Sequence, residues 1–175
     1  MFRARSSLSK RDSLQAVQLA RVIFECIETL EPKIEKRVSL NLPRLTEDPV
    51  TAARMTRAAL GLASETPIPN LVHSLEMGGV LVLSIPLLLD DLDAFCAWVG
   101  TRELRPVIVV CGKGPGDRLR LSIAHEAAHL VLHYSLVGNR EKSESEAMTF
   151  AAEFLMPAEI IREEFAPPVT LLSLG

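Results

Sequence analysis

His125-Glu126-Ala127-Ala128-His129 reads H-E-x-x-H inside an apolar run that contains neither Pro nor Gly. On a helix, residues four apart share one face, about 5.4 Å apart along the axis, so two imidazoles at this spacing can close on one metal ion. Glu126 follows the first histidine and reaches the same side, where it can take a proton from a water that the metal activates. Three of the chain's four histidines (His125, His129 and His133) stand four residues apart in this run. By ordinary residue frequencies a chance H-E-x-x-H arises in about one chain in a hundred or fewer at this length. The metal-site reading therefore outweighs a core helix with a few satisfied histidines.

A catalytic zinc takes three protein ligands and leaves one position for water. His133 is one option for the third, but three ligands on one straight helix have poor tetrahedral geometry, and it reads better as a supporting or helix-end residue. The pattern predicts another helix over 143–156, capped by Ser143, with Glu146 completing a capping box. This helix offers Glu144, Glu146 and Glu153. At about 100° per residue, Glu144 points with Ala147, Met148, Ala151 and Leu155 toward the core, and Glu146 and Glu153 fall on the opposite, solvated face. A carboxylate aimed at a core needs a partner, which a metal would supply; the alternative is that Glu144 merely complements the helix dipole. Two His and a carboxylate suit zinc, and Mn or Fe as well. The nearest groups for stabilising an oxyanion are Tyr134 and His133.

The surrounding elements must position this helix. Asp117 is expected to cap it and Tyr134 to end it, with Ala124, Ala127 and Val131 turned away from the histidines and buried on a sheet. Three short apolar runs, 80–85, 93–99 and 107–111, predict three strands joined as an antiparallel meander, and hence an α+β fold with a small sheet against a bundle of helices. The loop Gly112-Lys113-Gly114-Pro115-Gly116 lacks the Gly-Lys-Ser/Thr ending of a phosphate cradle and reads as a turn into the metal helix. Upstream, Asp12 is expected to cap a helix that Pro32 stops. Asp48-Pro49 opens a second helix that Gly61 ends, and a third runs from about Pro67 to Met77 before Gly78-Gly79. His73 lies off that helix's apolar stripe, at the surface. Met156-Pro157 breaks helix 143–156, and a last helix ends near Phe165.

At 175 residues, 48% hydrophobic and 23% charged, the chain can build a real core. The net charge of −3 gives no strong pull toward nucleic acid. Cys26, Cys96 and Cys111 are odd in number and widely spaced, which fits small buried residues in a reducing, cytoplasmic compartment rather than a disulfide framework. The most apolar run is too short to span a bilayer. Residues 1–45 read as a helical arm and linker whose basic start resembles a frayed tail more than a transit peptide. Residues 46–166 form the main domain. The apolar end, 167–175, looks like the start of a truncated C-terminal segment.

From Asp48 to Pro157 the chain resembles the ImmA/IrrE family of metallopeptidases. The resemblance is carried by Asn70-Leu71 to Leu75-Glu76 with Gly79-Val80, by Arg118-x-Arg120 through Ala124-His125-Glu126-Ala127-Ala128-His129-Leu130 and His133, and by Glu144-x-Glu146-Ala147 through Phe150-Ala151-Ala152-Glu153-Phe154-Leu155-Met156-Pro157. It implies a zincin fold of the gluzincin kind, with 46–166 as the metallopeptidase domain. It further implies His125, His129 and Glu144 as zinc ligands and Glu126 as general base. The expected activity is cleavage of a protein substrate, a transcriptional repressor of helix-turn-helix type, in an anti-repressor or stress response. Met148 departs from the family, which has Asn there, and residues 1–45 show no helix-turn-helix. Two rivals stand beside this reading: a regulator that binds a repressor through its metal site without cutting it, which would not need Glu126, and a DNA-binding regulator, which the net charge disfavours.

Overall fold

The computed structural model describes residues 10–34, 38–64, 66–85, 92–100, 104–111, 114–134 and 139–164. The arm before Lys10, Gly112, Lys113 and the segment 167–175 lie outside the described residues. The chain runs α1 (Lys10–Leu30), a short 3-10 turn (Glu31–Lys33), α2 (Pro49–Ala59), α3 (Leu71–Met77), β1 (Leu81–Ser84), β2 (Ala94–Val99), β3 (Arg105–Val110), α4 (Gly116–Leu132), α5 (Arg140–Leu155) and α6 (Ala158–Glu164). The fold is α+β.

The sheet is mixed rather than an antiparallel meander. Its order is β1-β3-β2: β2 pairs antiparallel with β3, but β1 runs parallel to β3, with Leu81 opposite Val107 and Ser84 opposite Val110. β1 therefore skips its sequence neighbour β2. The reason lies in β3, whose apolar run does not alternate with polar residues. Val107, Ile108, Val109 and Val110 are all buried, as a strand covered on both faces requires.

Successive residues of a strand point to opposite faces, and here both faces are apolar. Phe95, Ala97, Val99, Val107, Val109 and Cys111 pack with Ala16, Ala20, Ile23 and Ile27 of α1. Ile108, Val110 and Cys96 face the other way, into a core shared with Ala124, Ala127 and Val131 of α4 and with Phe150 and Phe154 of α5. α4 thus lies on the sheet with the three small or branched residues that the helical period assigned to that side.

Capping sets most helix starts. Asp48 accepts hydrogen bonds from Val50 N and Thr51 N, each at 3.1 Å, at the head of α2, with Pro49 in its first turn. α3 starts at Leu71 rather than Pro67, because Asn70 Oδ1 accepts from His73 N at 3.0 Å; His73 is exposed. α1 begins before Asp12, and α4 begins at Gly116 with no side-chain cap, so Asp117 sits in its first turn. α5 begins at Arg140 on an Asn139 cap, whose Oδ1 accepts from Glu141 N at 2.9 Å. Ser143 is therefore a buried residue inside α5, and the capping box with Glu146 does not form. Gly79, at φ 86°, makes the turn from α3 into β1; a Cβ there would lie 2.8 Å from Ser39 O.

All three cysteines are free; Cys96 and Cys111 are buried, but Cys26 is exposed on α1. Among the described residues no helix is long and apolar enough to cross a membrane.

Candidate metal centre

α4 carries His125 and His129 one turn apart, on the side facing α5. Their Nε2 atoms lie 3.2 Å from each other, with the rings edge to face. Glu144 comes from the first turns of α5: its Oε2 is 3.2 Å from His125 Nε2 and its Oε1 is 3.7 Å from His129 Nε2. One donor atom from each of the three lies within 4.8 Å of the others. Two ligands each about 2.0–2.1 Å from a tetrahedral ion stand about 3.3–3.4 Å apart, so the donor set and its spacing fit a zinc-type ion. The same geometry without an ion has His125 Nε2–H donating to the Glu144 carboxylate.

Burial shapes access. His125 and His129 are buried, while the Glu144 side chain is 38% exposed, so among the described residues the cluster reaches solvent through Glu144. Glu126 follows His125 on the helix and is partly buried. Tyr134 is exposed beyond the end of α4, near Arg44, whose guanidinium stacks 3.9 Å above the Trp98 ring and lies 5.8 Å from the Tyr134 ring.

The histidine row extends to a third member. His129 Nδ1 lies 3.0 Å from His133 Nδ1, and His133 Nε2 lies 2.9 Å from Glu146 Oε2. Lys142 Nζ stands 3.5 Å from the other Glu146 oxygen. The hydrogen bond with His133, followed by the charge of Lys142, holds the Glu146 carboxyl below the ordinary value for Glu. His133 thus turns away from the Glu144 cluster and supports His129 from behind.

Glu146 and Glu153 were both expected on a solvated face of α5, and neither is solvated in that way. The buried stripe of α5 is Ser143, Ala147, Phe150, Ala151 and Phe154. At about 100° per residue, Glu144 and Glu146 lie on opposite shoulders of that stripe, each about 80° from its centre, so both can reach α4. Met148, expected with the core, is 45% exposed. Glu153 is buried, at 2.8 Å from Arg54 Nε of α2, and its Oε2 accepts from Ala158 N at 3.2 Å, at the start of α6.

Other supports went unread in the sequence. Trp98 Nε1 of β2 donates to Leu130 O at 3.2 Å, and Leu45 N donates to Val131 O at 3.0 Å. These bonds occupy carbonyls at the end of α4 that a helix leaves unpaired, and they fix its rotation on the sheet. Asp93 Oδ2, just before β2, accepts from Arg118 Nε at 2.9 Å near the other end. Arg57, 2% exposed, donates through Nη1 to Phe154 O at 2.7 Å and through Nη2 to Ala63 O and Thr66 O, tying α2 to the end of α5. Burial lowers its pKa from the usual Arg value.

Residues 76–174 match the IrrE N-terminal-like domain, a peptidase family. The match spans more than half of the chain, from the end of α3 past α6. The chain belongs to this peptidase family. No curated protein matches its sequence. The matched region contains both halves of the centre, His125 and His129 on α4 and Glu144 on α5.

Proposed function

We propose that this chain is a zinc-dependent metalloendopeptidase of zincin-like fold, with His125, His129 and Glu144 as ligands and Glu126 as general base. The observation that carries the proposal is the convergence of His125 Nε2, His129 Nε2 and the Glu144 carboxylate, within a peptidase-family domain, with Glu126 next to His125 in the chain. A zinc ion bound there supplies Lewis acidity, polarising a carbonyl and bringing the pKa of water toward neutrality.

The chain's own residues do the rest. Glu126 Oε accepts the proton of the attacking water and returns it to the departing amine. The open side at Glu144 admits the peptide, while the buried histidines keep bulk water from the other side. The substrate class is a transcriptional repressor of helix-turn-helix type in the cytoplasm; the resemblance to the ImmA/IrrE family supports this choice.

The test is co-expression with a candidate helix-turn-helix repressor, starting with the product of the neighbouring gene if it is one. The native chain cleaves the repressor. Glu126→Gln retains metal and leaves the repressor intact, because the base is lost and no ligand is removed. If Glu126→Gln still relieves repression, the chain is a metal-dependent regulator that does not cut. If it loses metal as His125→Ala does, Glu126 has a different role.

A further inference from the structure

The hydrogen-bond row behind the metal centre has a direction. An ionised carboxylate only accepts, so Glu146 Oε2 takes its 2.9 Å hydrogen bond from His133 Nε2–H. A neutral imidazole has one N–H, so His133 Nδ1 is then an acceptor. The 3.0 Å contact between His133 Nδ1 and His129 Nδ1 needs one proton, and it must sit on His129 Nδ1. His129 Nε2 is left with its lone pair, and this is the atom facing His125 Nε2 and Glu144.

We infer that Glu146 and His133 are positioning residues that hold His129 in the Nδ1–H tautomer, presenting Nε2 as a ligand. The arrangement is a carboxylate–histidine pair placed one imidazole further from the metal than the usual carboxylate on a ligand. Two features suit it to the task. Both members come from elements already locked: His133 caps the end of α4, its N donating to His129 O at 3.0 Å, and Glu146 sits on the shoulder of α5. Lys142, one turn before Glu146, pairs with the carboxylate oxygen that His133 does not use, which keeps the acceptor oriented and ionised.

The inference rests on His129 as a ligand, and its test separates the two. First, 15N NMR of the metal-free chain at mildly alkaline pH reads the His129 tautomer directly. The row predicts Nδ1–H in the native chain and a mixture of tautomers in Glu146→Ala; Nε2–H for native His129 overturns it. Second, zinc affinity is measured by competition with a chromophoric chelator, at matched helix content. Glu146→Ala and His133→Ala are each expected to lose about 10–100-fold, the usual effect of removing a partner behind a ligand. Glu146→Gln, whose amide oxygen can still accept from His133 Nε2–H, restores most of the affinity. Equal affinity in Glu146→Ala and the native chain overturns the inference. If the native chain takes up no divalent metal, the ligand reading fails, and the His129 spectrum alone decides the hydrogen-bond row.

Discussion

Glu144 and Glu146 stand two residues apart on α5 and reach different members of one histidine row on α4: Glu144 Oε2 lies 3.2 Å from His125 Nε2, and Glu146 Oε2 lies 2.9 Å from His133 Nε2. The two acids straddle the buried stripe through Ala147, so one helix supplies a candidate ligand and, from its other shoulder, the partner of His133, which stands behind a second candidate ligand. Ala128 on α4 and Ala147 on α5 are fully buried in the core that the two helices share.

Removing Glu153 will cost stability and leave the metal centre intact. Its carboxylate is buried between Arg54 and the first turn of α6. Glu153→Ala should lower the unfolding free energy by about 2 kcal/mol, the range for hydrogen bonds to a charged group. Urea unfolding measures this, and zinc affinity at matched folding should not change.

Arg57 is a second buried charge with a structural role. Arg57→Ala removes the donors to Phe154 O, Ala63 O and Thr66 O and opens a void between α2 and α5. A loss of about 3 kcal/mol or more is expected, because three carbonyls lose a charged partner at a buried site. A midpoint shift in urea no larger than that of an exposed arginine on α1, such as Arg21→Ala, would contradict this account.

The cysteines should react in two classes. Cys26 is exposed and should be alkylated by iodoacetamide in the native chain; Cys96 and Cys111 should react only after unfolding. Burial pushes the Cys111 thiol up from 9.0 to about 11, so its thiolate is scarce at neutral pH. Its folded pKa is above the unfolded one, so the contribution to stability is complete below about pH 9 and is lost as pH rises through about 11. Mass spectrometry of native and urea-treated samples distinguishes the classes.

Zinc should stabilise the folded chain by mass action. At a free concentration about 100 times the dissociation constant, the gain is about 2.7 kcal/mol, and a chelator should reverse it. Thermal melting with and without zinc measures the shift, which His125→Ala should abolish.

What could be read from the sequence was mostly local. His125 and His129 are four residues apart, and helical geometry alone puts them on one face. Asp48-Pro49 and Gly61 bound α2 through neighbours in the chain. The rotation of one helix that singles out Glu144 also puts Met148 toward the core and Glu146 on the opposite face. In the structure Glu144 stands at the shoulder of the buried stripe, Met148 is exposed and Glu146 meets His133. Ser143 misled, because a Ser three residues before a Glu looks like a capping box, yet Asn139 caps α5 a turn earlier and sends Glu146 to His133 instead. The parallel pairing of β1 with β3 depends on which strand occupies the centre, a long-range choice whose one local sign is the unbroken apolar run of β3. Arg57 and Glu153 were out of reach for the same reason. Their partners Phe154 and Arg54 lie 97 and 99 residues away in the chain, and nothing in the local pattern marks a buried charge as paired.

The most direct test of the central claim is the zinc content of the purified native chain beside that of Glu144→Ala, after loading with zinc and removal of excess, with folding matched by circular dichroism. The account predicts about one ion per chain in the native protein and little in Glu144→Ala, whose buried histidines keep their places but lose the third ligand. A native chain that retains no zinc, or a Glu144→Ala variant that retains as much as the native one, would contradict it.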